Sequence, residues 1–304
     1  EPREAAAKSS MSGIGIAPEG IFTNEIMFDM LLDQAWMEGP VPVLEYVNDY
    51  IRARYGARNY HSEKAWEIMA ETVYNAPAAP RPKARIVRRP STDAWSSYYV
   101  HCDFLDAWEH LLLAAPAFKD IDTYRFDLID VSRQAMSDLF DNWYMAMRKG
   151  YYKGEACTVE AYRPRMLGLL QDLDTVLATH EAYLLGRWLA DADRWAGDQE
   201  ELQNIRFNAK NLITLWGPIG QLRDYGAKQW SGLVKDFYMK RWENFFDLIL
   251  ENLGTADMFD EDLFDITSHD WEDGWQRNHE IKYPTETQGD TIEEVQKLFD
   301  KYMP

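Results

Sequence analysis

The grouping with the clearest chemical potential is Trp216-Gly217-Pro218 followed at short range by Tyr225. A glycine that tolerates a left-handed backbone, followed by proline, ends a helix, so Trp216 is expected at a helix end. Leu222, Tyr225, Leu233 and Phe237 then recur at roughly helical spacing, which predicts that a helix resumes at Gly220. Two helices would meet at an aromatic corner. An indole beside a phenol offers a flat apolar face with a hydroxyl handle, the complement of a sugar ring, and it serves equally well as ordinary core packing. A second candidate is Glu19. It closes a run of alternating small and apolar residues, Met11 to Gly20, that reads as a short strand ending in a turn at Pro18-Glu19-Gly20. Parallel β/α barrels carry their catalytic groups at the C-terminal ends of strands, which is where Glu19 would lie. A solvated turn residue fits the same position.

Other chemistries lack their spacing. The six histidines, His61, His101, His110, His180, His269 and His279, form neither His-Glu-x-x-His nor Glu-x-x-His, so helical zinc and di-iron sites are not encoded, and each reads as a surface or packing residue. No Gly-x-x-x-x-Gly-Lys phosphate loop and no Asp-Asp-x-x-Asp magnesium motif occurs. No metal and no cofactor is expected. Cys102 and Cys157 are too few for a disulfide framework and leave a single bridge open. With 51 acidic against 32 basic residues the net charge is −19, which disfavours nucleic-acid phosphate and anionic membranes as partners. No apolar run approaches the roughly 18 residues of a membrane span, and no signal peptide opens the chain, so an export signal would have to lie elsewhere.

The elements that would position these residues are mostly helices. At 304 residues with 46% apolar content the chain can fill a substantial core. Helical patterns cover about 24–36, 43–55, 61–74, 102–113, 122–149, 159–177, 187–195, 200–216, 220–253 and 291–301, with Pro164 a start or a kink in its helix and the proline-rich 77–90 a loop. Residues 1–10 are a lead-in. Strand alternation is missing after Gly20. The expected fold is therefore mainly all-α: a large bundle of eight or more helices in 39–304, preceded in 1–38 by a short remnant of a β/α barrel.

An ordered series of short motifs resembles one family. Ala17-Pro18-Glu19-Gly20-Ile21 with Asn24-Glu25, Arg54-Tyr55-Gly56, Arg89-Pro90, Phe104 with Ala107-Trp108, Tyr124 to Leu128 with Arg133-Gln134, Leu185-Gly186, Trp216-Gly217-Pro218, Asp224-Tyr225, Lys228, Gly232-Leu233, Arg241-Trp242 and Gly289-Asp290-Thr291 follow the C-terminal portion of the α-N-acetylglucosaminidases, glycoside hydrolase family 89. That resemblance implies a retaining hydrolase acting on terminal, non-reducing α-linked N-acetylglucosamine, with Glu19 as nucleophile and Trp216, Leu222 and Tyr225 lining the sugar pocket. It also implies that the acid/base glutamate lies in an earlier barrel segment, a partner this chain would need, and that the 304 residues alone are inactive. Glu25, although preceded by asparagine, reads as structural. Localisation would be secreted or periplasmic in a bacterium and lysosomal in an animal; the absence of Asn-x-Ser/Thr acceptor sites favours a bacterial source. A homo-oligomer stays open. The competing reading is a non-catalytic helical module that binds glycan or another protein, which would share the Trp216–Tyr225 corner and have no use for Glu19.

Overall fold

The computed structural model describes residues 2–17, 25–37, 39–75, 84–94, 98–217, 222–253 and 259–303. Glu19 and the turn around it lie outside the described residues. The chain divides into two compact units, Glu1–Ala78 with Cys102–Tyr124, and Ala79–His101 with Arg125–Pro304.

In the first unit α1 (Pro2–Lys8) and α2 (Glu25–Asp33) precede α3 (Val43–Tyr55) and α4 (Tyr60–Glu71). Gly56 ends α3 in the left-handed region at φ 82°, returning its N–H to the Arg52 carbonyl at 2.9 Å. Asn59 then starts α4, its Oδ1 accepting from the backbone N–H of His61 at 2.9 Å and of Ser62 at 3.2 Å. α5 (His101–Leu113, in this unit from Cys102) and α6 (Ala115–Phe118) complete the unit. Its core gathers the rings of Tyr55, Phe118 and Tyr124, with the Tyr124 hydroxyl donating to the Leu111 carbonyl at 2.6 Å. Met11–Ala17 forms no strand. A strand needs a neighbour to pair its N–H and C=O groups, and the described residues contain no sheet, only a single parallel bridge between Leu184 and Ser231.

The second unit holds most of α7 (Asp122–Tyr152), α8 (Ala156–Leu177), α9 (Leu185–Asp193), α10 (Gln199–Ile213), α11 (Met239–Glu251, entered through a π-helical turn at Val234–Tyr238), α12 (Glu261–Arg277) and α13 (Thr291–Tyr302). Pro164 sits inside α8, not at its start. The helix expected to resume at Gly220 begins instead near Leu233, because Asp224 and Ala227 adopt φ of 59° and 46°, backbone angles no helix contains. α12 has no counterpart among the expected helices. Asp174 of α8 organises the entry to α11: its carboxylate accepts from the N–H groups of Gly232 at 2.7 Å and Lys235 at 3.1 Å, and from the Ser231 hydroxyl at 3.1 Å. Cys102 and Cys157 are free, exposed thiols, so the bridge left open by the sequence is not formed. No helix among the described residues is long and apolar enough to cross a membrane.

Gly186 marks the tightest approach in this unit. A Cβ there would lie 2.1 Å from the Pro284 carbonyl oxygen and 2.5 Å from that of Tyr283. Both obstacles are backbone and cannot swing aside. Gly186→Ala is therefore expected to destabilise by at least the ~1–3 kcal/mol typical of overpacking, a loss of several degrees in Tm at about 2–4 °C per kcal/mol. Gly168→Ala, with nothing within 4 Å of the new methyl, is the control and should be neutral or mildly stabilising. Thermal unfolding of the two variants decides; equal Tm values would contradict this packing.

Candidate functional site

The corner is built from the end of α10. Asp198 caps the start of that helix through the N–H groups of Glu200 and Glu201, both at 2.9 Å. At the other end the Trp216 N–H reaches back to the Asn211 carbonyl at 2.7 Å, which winds Trp216 into the left-handed region at φ 46°. That conformation is costly for a bulky residue and persists only where its surroundings over-determine it. Asn211 supplies the constraint: its Oδ1 accepts from Gly217 N–H at 2.8 Å, and its Nδ2 donates to the Gly217 carbonyl and to Gln276 Oε1, each at 3.2 Å. Gln276, fully buried on α12, donates in turn to the Thr214 hydroxyl at 2.7 Å. Asp224 N–H then bonds the Thr214 carbonyl at 2.7 Å, closing the loop on itself.

The outcome is a ring pair. The indole of Trp216 and the phenol of Tyr225 meet edge to face, centroids 5.1 Å apart and planes at 90°, both half-buried. Leu222 is on the same turn, its carbonyl accepting from Tyr225 N–H at 2.9 Å and its side chain 49% exposed. Of the residues expected to line a sugar pocket, the structure thus brings Trp216 and Tyr225 into contact and leaves Leu222 open to solvent. Glu19 lies outside the described residues.

Sequence reasoning missed what lies beneath the corner. The Asp224 carboxylate accepts from Arg241 Nη1 at 2.7 Å and from the Arg89 backbone N–H at 3.1 Å. Arg241 Nε donates to Glu272 Oε1 at 2.6 Å, and Arg89 Nε to the same oxygen at 3.0 Å, with Arg89 Nη2 on Glu272 Oε2. Arg89 also grips Asp265 at 2.5 Å, which Arg223 reaches at 3.0 Å. Arg241 and Glu272 are completely buried, so two cations and two anions balance in a dry environment. Burial pushes the Asp224 carboxyl up against the pull of Arg241; burial alone would lower Arg241, but Asp224 and Glu272 hold it above its ordinary value. Arg89, Asp224 and Arg241 stand in the motif series, but no spacing in the sequence joins them to one another, and Glu272 had no signal at all. Burial, together with nearby Arg206 and Arg133 respectively, lowers the ammonium groups of Lys210 and Lys228 to about 8. A cleft of about 580 Å³ opens beside Arg223 and Asp224, but Arg88, Asp262 and Asp265 give it a charged lining. The ring pair is aromatic and half-buried where the cleft is charged.

Residues 46–301 match the family profile described as the alpha-N-acetylglucosaminidase (NAGLU) C-terminal domain. The chain belongs to the alpha-N-acetylglucosaminidase family. Residues 1–38 match the tim-barrel domain of the same family. Among relatives, alpha-N-acetylglucosaminidase of Homo sapiens is 33% identical over 302 residues, covering 97% of this chain and 40% of the human protein. A family 89 glycoside hydrolase of Clostridium perfringens, solved with PUGNAc, is 28% identical with a TM-score of 0.88, covering 99% of this chain and 36% of its own. The same bacterial enzyme, carrying two glutamate-to-glutamine substitutions and solved with its substrate GlcNAc-alpha-1,4-galactose, gives a TM-score of 0.87. This chain therefore spans about two fifths of the length of the family members it matches, and the part it spans is their C-terminal portion.

Proposed function

We propose that the chain is the C-terminal part of a retaining glycoside hydrolase that removes terminal, non-reducing α-linked N-acetylglucosamine from glycans. The observation that carries this reading is the 33% identity to human alpha-N-acetylglucosaminidase along 97% of the chain. The corner adds chemical fit: Trp216 would stack on a sugar face, the Tyr225 hydroxyl would hydrogen-bond to it, and Leu222 would close an aliphatic side. Glu19 is the proposed nucleophile. Its carboxylate attacks the anomeric carbon as the glycosidic C–O bond breaks, and the leaving oxygen takes a proton from an acid/base glutamate. Water, deprotonated by that same residue, then displaces Glu19 from the anomeric carbon, with net retention. The two carboxyl groups of such a pair stand about 5–5.5 Å apart. The second belongs to a barrel segment that we assign as partner, with the domain boundary near residue 38.

The first unit supports that partnership. Ile26 is buried, but Met27, Leu31 and Leu32 of α2 are 37–46% exposed, and Trp36 just beyond it is 85% exposed. This much contiguous apolar surface on one short segment suits the rest of a β/α barrel, whose family profile matches these very residues. Localisation follows from the same reading: secreted or periplasmic in a bacterium, lysosomal in an animal.

The test is hydrolysis of a chromogenic α-N-acetylglucosaminide by the 304 residues alone and by the same residues joined to a family barrel segment. Silence of the first and turnover by the second is the expected result. Turnover by the 304 residues alone, or a folded, completed protein without activity, would overturn the proposal.

A further inference from the structure

A second cluster lies in the first unit and has no part in the proposed hydrolysis. His61, the second residue of α4, and His110, in the last turn of α5, bring their Nδ1 atoms to 2.9 Å. The rings are tilted by 34° with centroids 5.2 Å apart, and the Tyr60 ring packs edge-on against both, at 5.3 and 6.1 Å. The Asn59 cap fixes the backbone of His61, so its imidazole is set by the helix start and not by a mobile loop.

In the metal-free pair one Nδ1 donates its proton and the other accepts. Moving that proton to Nε2 of its own ring leaves a lone pair on each of the two adjacent Nδ1 atoms, with no net proton released. Two imidazole nitrogens each ~2.0–2.1 Å from a shared ion stand ~2.9 Å apart at a right angle and ~3.4 Å apart at the tetrahedral angle. The observed 2.9 Å matches the right angle, the preference of square-planar copper(II) and nickel(II) over tetrahedral zinc.

We propose that His61 and His110 form a two-imidazole site for a divalent transition metal, copper(II) first, that ties α4 to α5. Among the described residues no group of three or more His, Cys, Asp and Glu could hold a metal, so water supplies the other ligands. Both histidines are half-buried, which leaves that water room to enter and lets the ion exchange. The histidine spacing in the sequence, 49 residues, hides the pair entirely.

The test is a titration of the 304-residue protein with copper(II) sulfate, and in parallel with nickel(II) chloride and zinc(II) chloride. Electron paramagnetic resonance should show one copper(II) bound through two nitrogens, and affinity should fall in the order copper, nickel, zinc. His61→Gln and His110→Gln should each weaken copper binding at least tenfold and remove the two-nitrogen signature, while His269→Gln should leave both unchanged. Unaltered affinity in the His61→Gln and His110→Gln variants, or a wild-type spectrum without two nitrogen ligands, overturns the proposal, and the wild-type spectrum decides it should either variant fail to fold.

Discussion

Glu19→Gln in the protein completed with its barrel segment is expected to lower kcat on an α-N-acetylglucosaminide by about 10⁴-fold or more, the scale of losing a covalent nucleophile. Glutamine keeps the size of glutamate and most of its hydrogen bonding, so stability and substrate affinity should move little. What it loses is the anionic oxygen that forms the bond to the anomeric carbon. A small external anion can take that role where the side chain is truncated: in Glu19→Ala, azide should restore part of the turnover and give a β-glycosyl azide, because a single displacement inverts the α-configured centre. Rate and product anomer together form the readout. A kcat within tenfold of the parent, or azide without effect on a substrate that still binds, would remove Glu19 from the nucleophile's role.

Arg241→Ala should have the largest effect on stability. It strips the cation from between Asp224 and Glu272, leaving the Arg89 guanidinium for buried Glu272 and only the Arg89 backbone N–H for the Asp224 carboxylate. Breaking a buried ion pair from one side costs about 3–5 kcal/mol, which at about 2–4 °C per kcal/mol lowers Tm by roughly ten degrees. Loss of the guanidinium's packing on Phe237, 4.3 Å from its ring centre, adds to this. A double-mutant cycle with Glu272→Ala separates charge from packing. If pairing dominates, the double variant loses far less than the two single losses added together, since no orphaned charge remains on that edge of the network. Additive losses would mean that the network acts by volume alone. Arg241→Ala should also loosen the corner, because it removes one of the two hydrogen bonds that hold the Asp224 carboxylate beside the left-handed turn.

How far the sequence disclosed this arrangement differs from element to element. α3 was expected at 43–55 and spans Val43–Tyr55; α7 was expected to about 149 and runs to Tyr152. Both carry an apolar stripe at three- and four-residue steps, a local pattern that needs no tertiary information. α12 escaped because its stripe is thin: acidic and polar residues surround Phe264 and Trp275, and Glu272 faces inward although its type says outward. The 220–233 segment misled for the opposite reason. Leu222, Tyr225, Leu233 and Phe237 repeat at nearly helical intervals, but the backbone between them is bent by a carboxylate whose partners lie 135 residues before it and 17 after it. Glu19 had no support beyond an ambiguous turn until the ordered motif series was read as a family. Trp216 and Tyr225 stood out as types, and their contact depends on Asn211 and Gln276, two amides that no spacing rule singles out.

The left-handed turn at Trp216 bears on where the cost of order falls. Its φ of 46° is held by Asn211 through bonds made within the chain itself, so the conformational strain there is borne by folding. For the sugar contact proposed at this corner, the cost of fixing the Trp216 backbone would then fall on the stability of the fold and would not be subtracted from affinity.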